Sequence, residues 1–494
     1  MARRKPSSPP KRFSDRDLAE SLGAGIFRGF MADVKVAGLI LAAGKGTRMK
    51  SDLPKCLHGV CGLPMVEHIG RAMRGVGISR PIMVVGFKGE LLVDVLGTGY
   101  DYAWQNEQLG TAHAAIMAKD FFAEHNGPIL VAPGDAPLLD EAILQRLLDL
   151  HVQSGALATV GTCELDDATG YGRIVRDSEG RVQQIVEHKD ATEAQRAIRE
   201  INSAVYCFDA QTLLRILPTL SNDNAQGEYY LPDVIAQIAS EGGRVEALLY
   251  TEDFFTFQGV NDRWQLSLAA AEMRTRIMRR HAMSGVTIVD PGTTYISADA
   301  EIGVDTVVHP LTTIEGRTTI GAGCHIGPMS VVVESQIGDE VTVLMSHVNR
   351  ATMADGARCG PYAHLRPASK IGVRARIGNF VEIKNAVIGE QAAVSHLSYV
   401  GDATIGRGTN IGAGTITCNF DGVSKHQTNI GSGVFVGSHS TLIAPLEIGD
   451  SAFIAAGSVV TQDVPKDSLA IGRSRQEVKK GWVEQRRKKQ AESK

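Results

Sequence analysis

The chain has 494 residues, enough for two to four domains, and its 43% hydrophobic and 21% charged residues are ordinary for a globular protein. A net charge of −4 gives no overall attraction to nucleic acid, and no apolar run approaches the roughly 20 residues that a membrane-spanning helix needs. The seven cysteines are scattered, which argues against a disulfide framework and against a zinc site. We therefore expect a cytoplasmic protein that binds neither nucleic acid nor a membrane.

The first 30 residues begin with a basic stretch rich in proline and serine, and they lack the apolar core of a signal peptide. We expect a disordered extension over residues 1–30, or an upstream start codon with Met31 as the natural start. Short β-like runs then alternate with helical stretches as far as residue 261. The predicted strands are residues 38–43, 81–86, 129–132 and 158–162, and the predicted helices are residues 64–74 and 141–153. This alternation predicts an α/β domain with a parallel or mixed sheet, which we place at residues 31–263.

A helical pattern follows and predicts a single linker helix, placed at residues 264–284. After residue 286, aliphatic residues recur at every sixth position, and many of them precede a glycine. The recurring residues are Ile302, Val308, Ile314, Ile320, Ile326 and Val332, then Ile371, Ile377 and Ile383, then Ile430, Val436, Leu442, Ile448, Ile454 and Val460. Such a hexapeptide repeat is typical of a parallel β-helix, in which each coil buries its aliphatic residues against the next coil. We place this domain, with a C-terminal tail, at residues 285–494, and expect loops where the period breaks, at residues 338–365 and 418–429.

The first predicted strand runs into a glycine-rich turn that contains Gly44 and Gly46, and Arg48 and Lys55 follow it. Such a turn lets backbone N–H groups approach phosphates, and the two cations supply charge for a triphosphate. Asp135 follows another buried strand, where a carboxylate is a natural Mg²⁺ ligand. A role for Asp135 as a helix-capping or turn residue is the alternative.

In the repeat region, Arg366 and Lys384 are 18 residues apart, which is one coil. Both side chains should therefore lie on the same face of adjacent coils, about 5 Å apart. Two like charges so close repel each other unless an anion such as a sugar phosphate bridges them; a solvated basic stripe is the alternative. His396 follows, and although a lone histidine is often structural, acyl transfer to an amine needs a base that titrates near neutrality.

The motif LxxGxGTRM…PK around the first turn resembles the signature of sugar nucleotidyltransferases. The run from Lys384 to Gly422 is similar to the acetyltransferase half of the bacterial bifunctional N-acetylglucosamine-1-phosphate uridyltransferase and glucosamine-1-phosphate N-acetyltransferase family, and the likeness extends from Met31 to about Trp482. The resemblance implies an α/β Rossmann-like nucleotidyltransferase domain followed by a left-handed parallel β-helix of hexapeptide repeats. It also implies a homotrimer that associates through the β-helix.

The resemblance carries site residues onto this chain. Those implied for the nucleotide sugar are Leu41, Ala42, Ala43, Gly44, Lys55, Gln105, Gly110, Thr111, Asp135, Gly172, Glu187, Asn202 and Asn261, with Asp135 and Asn261 as Mg²⁺ ligands. Those implied for the acetyltransferase substrate are Arg366, Lys384, Tyr399 and Asn410, with His396 as the catalytic base. Those implied for acetyl-CoA are Ala413, Asn419, Phe420, Ser438, Ala456 and Arg473. The chain departs from the family pattern at Phe420, where a tyrosine is expected, and at His364 and Ala368, where arginine and glycine are expected.

The implied reactions make UDP-N-acetylglucosamine in two steps. Acetyl-CoA acylates the amine of glucosamine-1-phosphate, and the product, N-acetylglucosamine-1-phosphate, then reacts with UTP and releases pyrophosphate. A single-function sugar-nucleotide pyrophosphorylase with a non-catalytic β-helix is the alternative, and a regulatory subunit is another. The presence of Lys55, Asp135 and Asn261 in the first half, and of Arg366 with His396 in the second, favours the bifunctional enzyme.

Overall fold

The computed structural model describes residues 34–251 and 254–493 of the chain. These residues belong to two compact units, of which the first ends at Glu272 and the second begins at Met273. The disordered extension expected at residues 1–30 lies outside the described residues. None of the helices in the described part of the chain has both the length and the apolar character that spanning a bilayer requires.

Strands and helices alternate along the first unit, as the sequence predicts. The strands are β1 (Ala37–Leu41), β2 (Gly59–Val60), β3 (Leu63–Pro64), β4 (Ile82–Val85), β5 (Asp101–Trp104), β6 (Pro128–Pro133), β7 (Ala158–Glu164), β8 (Arg173–Arg176), β9 (Val182–Val186), β10 (Glu200–Asp209) and β11 (Val245–Tyr250). The helices are α1 (Met65–Gly75), α2 (Gly89–Leu96), α3 (Thr111–Met117), α4 (Glu141–Ser154), α5 (Glu193–Arg196), α6 (Ala210–Ile216) and α7 (Asp233–Ser240). The following helix, α8 (Arg263–Met283), stands where the linker helix is predicted and contains the boundary between the two units.

A nine-stranded mixed sheet forms the centre of the first unit, with the order β11-β7-β10-β6-β1-β4-β5 and with β8 and β9 joined to the side of β10. β1 is parallel to both of its neighbours, β4 and β6, whereas β10 is antiparallel to β6 and β7. Because the carboxyl ends of parallel strands meet at one edge, the turns that follow β1, β4 and β6 are brought together.

Both faces of this sheet are covered, which explains the uninterrupted apolar run of β1. Ile40 faces a core that includes Ile69 of α1 and Leu144 of α4, while Leu39 faces a second core that includes Ala115 of α3 and Ile235 of α7. These residues are almost fully buried. A parallel strand buried on both faces needs apolar residues at successive positions rather than at alternate ones.

The second unit is built from three parallel sheets, each with one strand per coil. The first face has strands Thr287–Ile288, Val307–Val308, His325–Ile326, Thr342–Val343, Arg358–Cys359, Arg376–Asn379, Ala393–His396, Asn410–Ile411, Phe435–Val436, Phe453–Ile454 and Leu469–Ala470. The second face has Tyr295–Ile296, Thr313–Glu315, Val331–Val333, His347–Asn349, His364–Leu365, Glu382–Lys384, Tyr399–Gly401, Ile416–Cys418, Thr441–Ile443 and Val459–Val460. The third face has Glu301–Ile302, Thr319–Ile320, Gln336–Ile337, Thr352–Met353, Lys370–Ile371, Val387–Ile388, Ala403–Ile405, Thr428–Ile430 and Leu446–Ile448. The tail ends in helix α9 (Trp482–Glu492).

This arrangement confirms the left-handed parallel β-helix of hexapeptide repeats. The repeating aliphatic residues point into the prism; Ile377 and Ile383, for example, are at most 1% exposed. Glycine follows many of them because successive coils approach closely at the corner. The N–H of Gly406 donates to the carbonyl of Ile430 at 2.7 Å, and a Cβ atom on Gly406 would lie 2.5 Å from the carbonyl oxygen of Gly431. Only glycine fits there without moving the next coil.

The prediction of a loop at residues 338–365 is wrong. Strands continue through this region on all three faces, and Ile337 pairs with Met353, only 16 positions further along the chain. The period breaks because some corners use one residue fewer, so the strands stay in register while the six-residue count fails. The second expected loop does leave the ladder: Cys418 ends one strand, Thr428 begins the next, and the intervening Val423 is 88% exposed.

Candidate functional site

A cavity of about 350 Å³ lies at the carboxyl ends of β1 and β6, and we call it the first-unit cavity. Most residues that the resemblance implies for a nucleotide sugar line its wall. They are Leu41, Ala42, Ala43, Gly44, Lys55, Gln105, Gly110, Thr111, Asp135, Glu187 and Asn202. The structure thus brings together residues as far apart in sequence as Leu41 and Asn202, because several segments converge at one sheet edge.

The glycine-rich turn is fixed on both sides by the neighbouring strands. The N–H of Ala42 donates to the carbonyl of Val84 at 3.0 Å, and the N–H of Gly134 donates to the carbonyl of Leu41 at 2.8 Å. At Gly44 an added Cβ atom would meet nothing within 4 Å, so the backbone faces open space. The turn therefore presents backbone to the cavity, which is the arrangement that anion binding by N–H groups requires.

The two predicted metal ligands converge on one point, which the ammonium group of Lys55 holds. Lys55 Nζ donates to Asp135 Oδ2 and, at 3.3 Å, to Asn261 Oδ1. Arg48 Nη2 donates to the same Asn261 oxygen at 2.8 Å, and the N–H of Val260 donates to the carbonyl of Asp135 at 2.9 Å. Two oxygen donors and two cations thus surround a position where phosphate charge could be neutralised. A carboxylate and an amide oxygen are donors that would suit a hard cation such as Mg²⁺.

The opposite wall carries the predicted sugar-binding residues. Gly172 is not part of the lining, but its carbonyl accepts the N–H of Asn202 at 2.9 Å. A Cβ atom on Gly172 would lie 3.3 Å from Glu187 Oε1, so the three residues form one wall. Burial, aided by the nearby carboxylate of Asp190, raises the pKa of Glu187.

The segment after β5 closes the cavity at its third side. Gln105 Nε2 donates to the carbonyl of Gly110 at 3.1 Å and lies 2.9 Å from His113 Nδ1. Thr111 Oγ1 accepts the N–H of Leu231 at 2.9 Å. The Gln105 side chain, held by these two contacts, presents a fixed amide edge, which suits the recognition of a base by hydrogen bonds.

Several lining residues were missed by the sequence analysis, among them Cys56, Tyr206 and Glu228. Burial raises the pKa of the Cys56 thiol to about 12. A signal for Tyr206 existed in the sequence, because the two-residue period of a strand places it on the same face as Asn202. No comparable signal identified Glu228, which reaches the wall from the loop before α7.

In the second unit, Arg366 and Lys384 lie in the predicted register: Leu365 pairs with Ile383, and the N–H of Arg366 donates to the carbonyl of Ile383 at 2.8 Å. Arg366 has a partner that the sequence analysis did not consider. Its Nη1 donates to Glu382 Oε1 at 2.8 Å, so a carboxylate on the neighbouring coil already balances this charge.

Lys384 instead faces Lys425, a residue that the sequence analysis did not select. The nearby ammonium group of Lys384 lowers the pKa of Lys425. Asp402 lies beside both and accepts hydrogen bonds from Asn385, at 2.6 Å, and from Asn419. Burial would raise the pKa of Asp402, but these hydrogen bonds and the two lysines lower it overall. One carboxylate serves two lysines, which leaves net positive charge for an anion.

His396 ends the strand Ala393–His396 at the corner that leads to the second face, and its side chain is exposed. Tyr399 lies just beyond that corner and pairs with Glu382, so it faces the same way as the arginine–glutamate pair. Asn410 lies on the first face, opposite Ala393. His396 therefore lies at an open corner of the prism, after Ala393, the strand partner of Asn410, and before Tyr399.

The residues implied for acetyl-CoA fall into two groups. The N–H of His439 donates to the carbonyl of Ala413 at 2.7 Å, and the N–H of Gly457 donates to the carbonyl of Ser438 at 2.8 Å, which places Ala413, Ser438 and Ala456 on one edge of the prism. Arg473 follows on the exposed chain beyond the last strand. Asn419 and Phe420 lie instead on the loop that leaves the ladder, where Asn419 is held by Asp402 and Phe420 is exposed.

Comparisons with known proteins agree with this division of the chain. The family model described as nucleotidyl transferase matches residues 37–255, and the model described as hexapeptide repeat of succinyl-transferase matches residues 427–462. A "Bifunctional protein GlmU" of Geobacillus thermodenitrificans is 49% identical over 456 residues, which is 92% of this chain and 99% of that protein. Proteins of the same name from Streptococcus agalactiae serotype V and Exiguobacterium sp. are 47% and 50% identical over 90% of this chain, covering 97% and 98% of their own lengths. With a nucleotidyltransferase unit and a hexapeptide acyltransferase unit in one polypeptide, the chain belongs to the family of bifunctional GlmU proteins.

Proposed function

We propose that the protein makes UDP-N-acetylglucosamine by two successive transfers. The second unit moves the acetyl group of acetyl-CoA to the amine of glucosamine-1-phosphate. The first unit then joins the product, N-acetylglucosamine-1-phosphate, to the uridylyl group of UTP and releases pyrophosphate. The observation that carries the proposal is the first-unit cavity, which Lys55 and Asp135 line together with Glu187 and Asn202, and beside which Lys55 also contacts Asn261.

In uridylyl transfer, a phosphate oxygen of the sugar phosphate attacks the α-phosphorus of UTP in line with the leaving pyrophosphate. The backbone of the glycine-rich turn and the side chains of Arg48 and Lys55 stabilise charge on the phosphates. Gln105 orients the uracil, while Glu187 and Asn202 hold the N-acetyl sugar. Asp135 and Asn261 would hold Mg²⁺, which when bound neutralises charge that develops on the phosphate oxygens.

In acetyl transfer, the amine attacks the thioester carbonyl and His396 takes the proton that the amine loses; the C–N bond replaces the C–S bond, and CoA leaves through its sulfur. Lys384 and Lys425 bind the sugar phosphate together with Arg366, and Tyr399 and Asn410 position the sugar. The pantetheine arm follows the prism edge formed by Ala413, Ser438 and Ala456, and Arg473 meets a phosphate of CoA. Phe420 keeps its backbone groups for the ligand although it lacks the expected hydroxyl. Neither transfer requires a covalent enzyme intermediate.

The protein should act as a homotrimer through its β-helix. An apolar ridge, formed by Leu311, Met329, Tyr362, Phe380 and Leu397, runs along one edge of the prism. Each of these side chains is more than half exposed, and the rings of Tyr362 and Phe380 stack at 5.3 Å. Because a continuous exposed apolar surface favours association, we infer that a neighbouring copy covers the ridge. Since UTP and acetyl-CoA are cytoplasmic metabolites, the enzyme should reside in the cytoplasm.

Two assays on the full chain test the proposal. Pyrophosphate release should require both UTP and N-acetylglucosamine-1-phosphate, and release of the CoA thiol should require glucosamine-1-phosphate. A chain that releases pyrophosphate but shows no acetyl transfer would support the single-function pyrophosphorylase instead. Magnesium dependence is tested separately by chelation, which should abolish only pyrophosphate release.

A further inference from the structure

Strand β10 is irregular where it borders the first-unit cavity. Its register with β7 shifts between Asn202 and Tyr206, and Ala204 between them has a φ of 61°. This left-handed conformation is uncommon for a residue with a side chain and needs support from its surroundings. Ser203 supplies that support: its hydroxyl donates to the carbonyl of Gly161 at 2.6 Å and accepts the N–H of Val205 at 3.3 Å. Asn202, Ala204 and Tyr206 all line the cavity.

The same bulge fixes the side-chain amide of Asn202. Its Oδ1 accepts the N–H of Ala204 at 3.0 Å, and its Nδ2 donates to the hydroxyl oxygen of Tyr206 at 2.7 Å. A backbone N–H can only donate, so the amide atom that faces Ala204 must be the oxygen. The nitrogen therefore faces Tyr206. One hydrogen bond would leave the amide free to turn about its axis, whereas two hydrogen bonds define its plane.

Tyr206 is itself held rigidly. Its side chain is 2% exposed, and its ring stacks on Phe208 with centroids 5.4 Å apart. Burial raises the pKa of the phenol, and the carboxylates of Glu187 and Asp233 act in the same direction, so the hydroxyl stays neutral. A neutral, immobile hydroxyl oxygen is a suitable fixed acceptor for an amide N–H.

We propose that Tyr206 is a positioning residue for the N-acetyl sugar in uridylyl transfer, and that it acts by fixing the plane of the Asn202 amide. The inference rests on the proposed function of the first-unit cavity. The amide then offers its second N–H and one oxygen lone pair to the sugar in a set orientation. Tyr206 takes no part in the chemistry at phosphorus, which occurs beside Lys55 and Asp135.

The variant Tyr206→Phe removes the hydroxyl but keeps the ring and its stack on Phe208. Loss of one neutral hydrogen bond should raise the KM for N-acetylglucosamine-1-phosphate by about 3- to 10-fold. The KM for UTP and kcat should stay within about twofold, because the sugar contact is made equally before and during the reaction. A residue that only stabilised the fold would lower the active fraction, and with it kcat, without this selective rise in KM.

Tyr230→Phe is the matched control. The hydroxyl of this buried tyrosine also accepts an amide N–H from four residues away, from Gln226 at 2.7 Å, but Tyr230 does not line the cavity. Its loss should leave both KM values unchanged. Thermal unfolding of both variants shows whether the two lost hydrogen bonds cost similar stability.

The deciding experiment is a double-mutant cycle on the full chain with Asn202→Ala. If Tyr206 acts through Asn202, then Tyr206→Phe should have no further effect on the sugar phosphate KM once Asn202 is alanine. An equal effect in both backgrounds, or an unchanged KM in Tyr206→Phe alone, would overturn the inference. If instead the wild-type chain released no pyrophosphate from UTP and the sugar phosphate, the proposed function itself would be wrong.

Discussion

The close approach of coils at the glycine corners predicts that Gly406→Ala destabilises the second unit. The new Cβ atom would lie 2.5 Å from both the Gly431 oxygen and the Ser432 nitrogen, where contacts below 3.0 Å essentially never occur. The atoms in the way are backbone, and Gly431 is itself bound to the next coil through Ile448 at 2.7 Å. The steric clash therefore cannot be relieved by moving a single side chain. We expect a loss near the upper end of the overpacking range, about 3 kcal/mol in the free energy of unfolding.

Gly408→Ala is the matched control, because it adds the same methyl group two residues away. A Cβ atom there meets nothing within 4 Å, but φ is 64°. Only the left-handed conformation is penalised, which costs about 1 kcal/mol. For a unit of this size these losses correspond to roughly 6–12 °C and 2–4 °C in Tm.

Scanning calorimetry of the full chain measures both shifts, with uridylyl transfer as an internal check that the first unit is intact. Acetyl transfer should survive in each variant below its own Tm. Equal losses of Tm for Gly406→Ala and Gly408→Ala would refute the argument, because the difference between them is the steric contact alone.

Three further outcomes are expected. Asp135→Ala should abolish pyrophosphate release yet leave acetyl transfer intact, because only the first unit loses an oxygen ligand; loss of both activities in folded protein would contradict separate sites. His396→Ala should lower acetyl-transfer kcat by about 10²–10⁴-fold with little change in the KM for glucosamine-1-phosphate, and near-normal turnover would make His396 structural. The pKa of Asp402 is lowered from its ordinary value of 3.8, so its carboxylate stabilises the fold at pH values above 3.8. The loss of unfolding free energy in Asp402→Asn should therefore be constant above about pH 5 and shrink as the pH falls below about 4. Urea denaturation across this pH range checks the prediction.

The sequence predicts the β-helix well because its physical cause is periodic: each coil buries an aliphatic residue at the same place. It misplaces a loop at residues 338–365 because a corner that is one residue shorter breaks the count without breaking the ladder. Strand register also follows from periodicity, which is why the spacing of Arg366 and Lys384 is correct. The partner of each charge is not periodic, so Glu382 and Lys425 appear only once the coils are stacked.

In the first unit, the motif residues after β1 and β6 could be predicted because parallel strands end at the same edge. The contacts within the wall formed by Gly172, Glu187 and Asn202 could not be predicted. Asn202 was identified by resemblance and the face of Tyr206 follows from strand alternation, whereas the hydrogen bond between them depends on a bulge at Ala204 that no propensity signals, since alanine is unusual at positive φ. Irregular backbone of this kind is decided by surrounding contacts rather than by local sequence.

One coil of the β-helix, which contains the loop between Cys418 and Thr428, is longer than the others, and its length bears on how one of the two activities could be lost. Ile388 pairs with Ile405, 17 positions later, but Ile405 pairs with Ile430, 25 positions later, and the surplus lies in the loop that carries Asn419, Phe420 and Lys425. The strands before and after the extra residues still pair in regular parallel register. If this loop serves acetyl transfer as proposed, a single deletion of about seven residues would restore an ordinary coil, keep the ladder intact and remove that activity alone. A descendant with one activity and an intact β-helix would then be one deletion away, because the strands on either side of the loop pair without it.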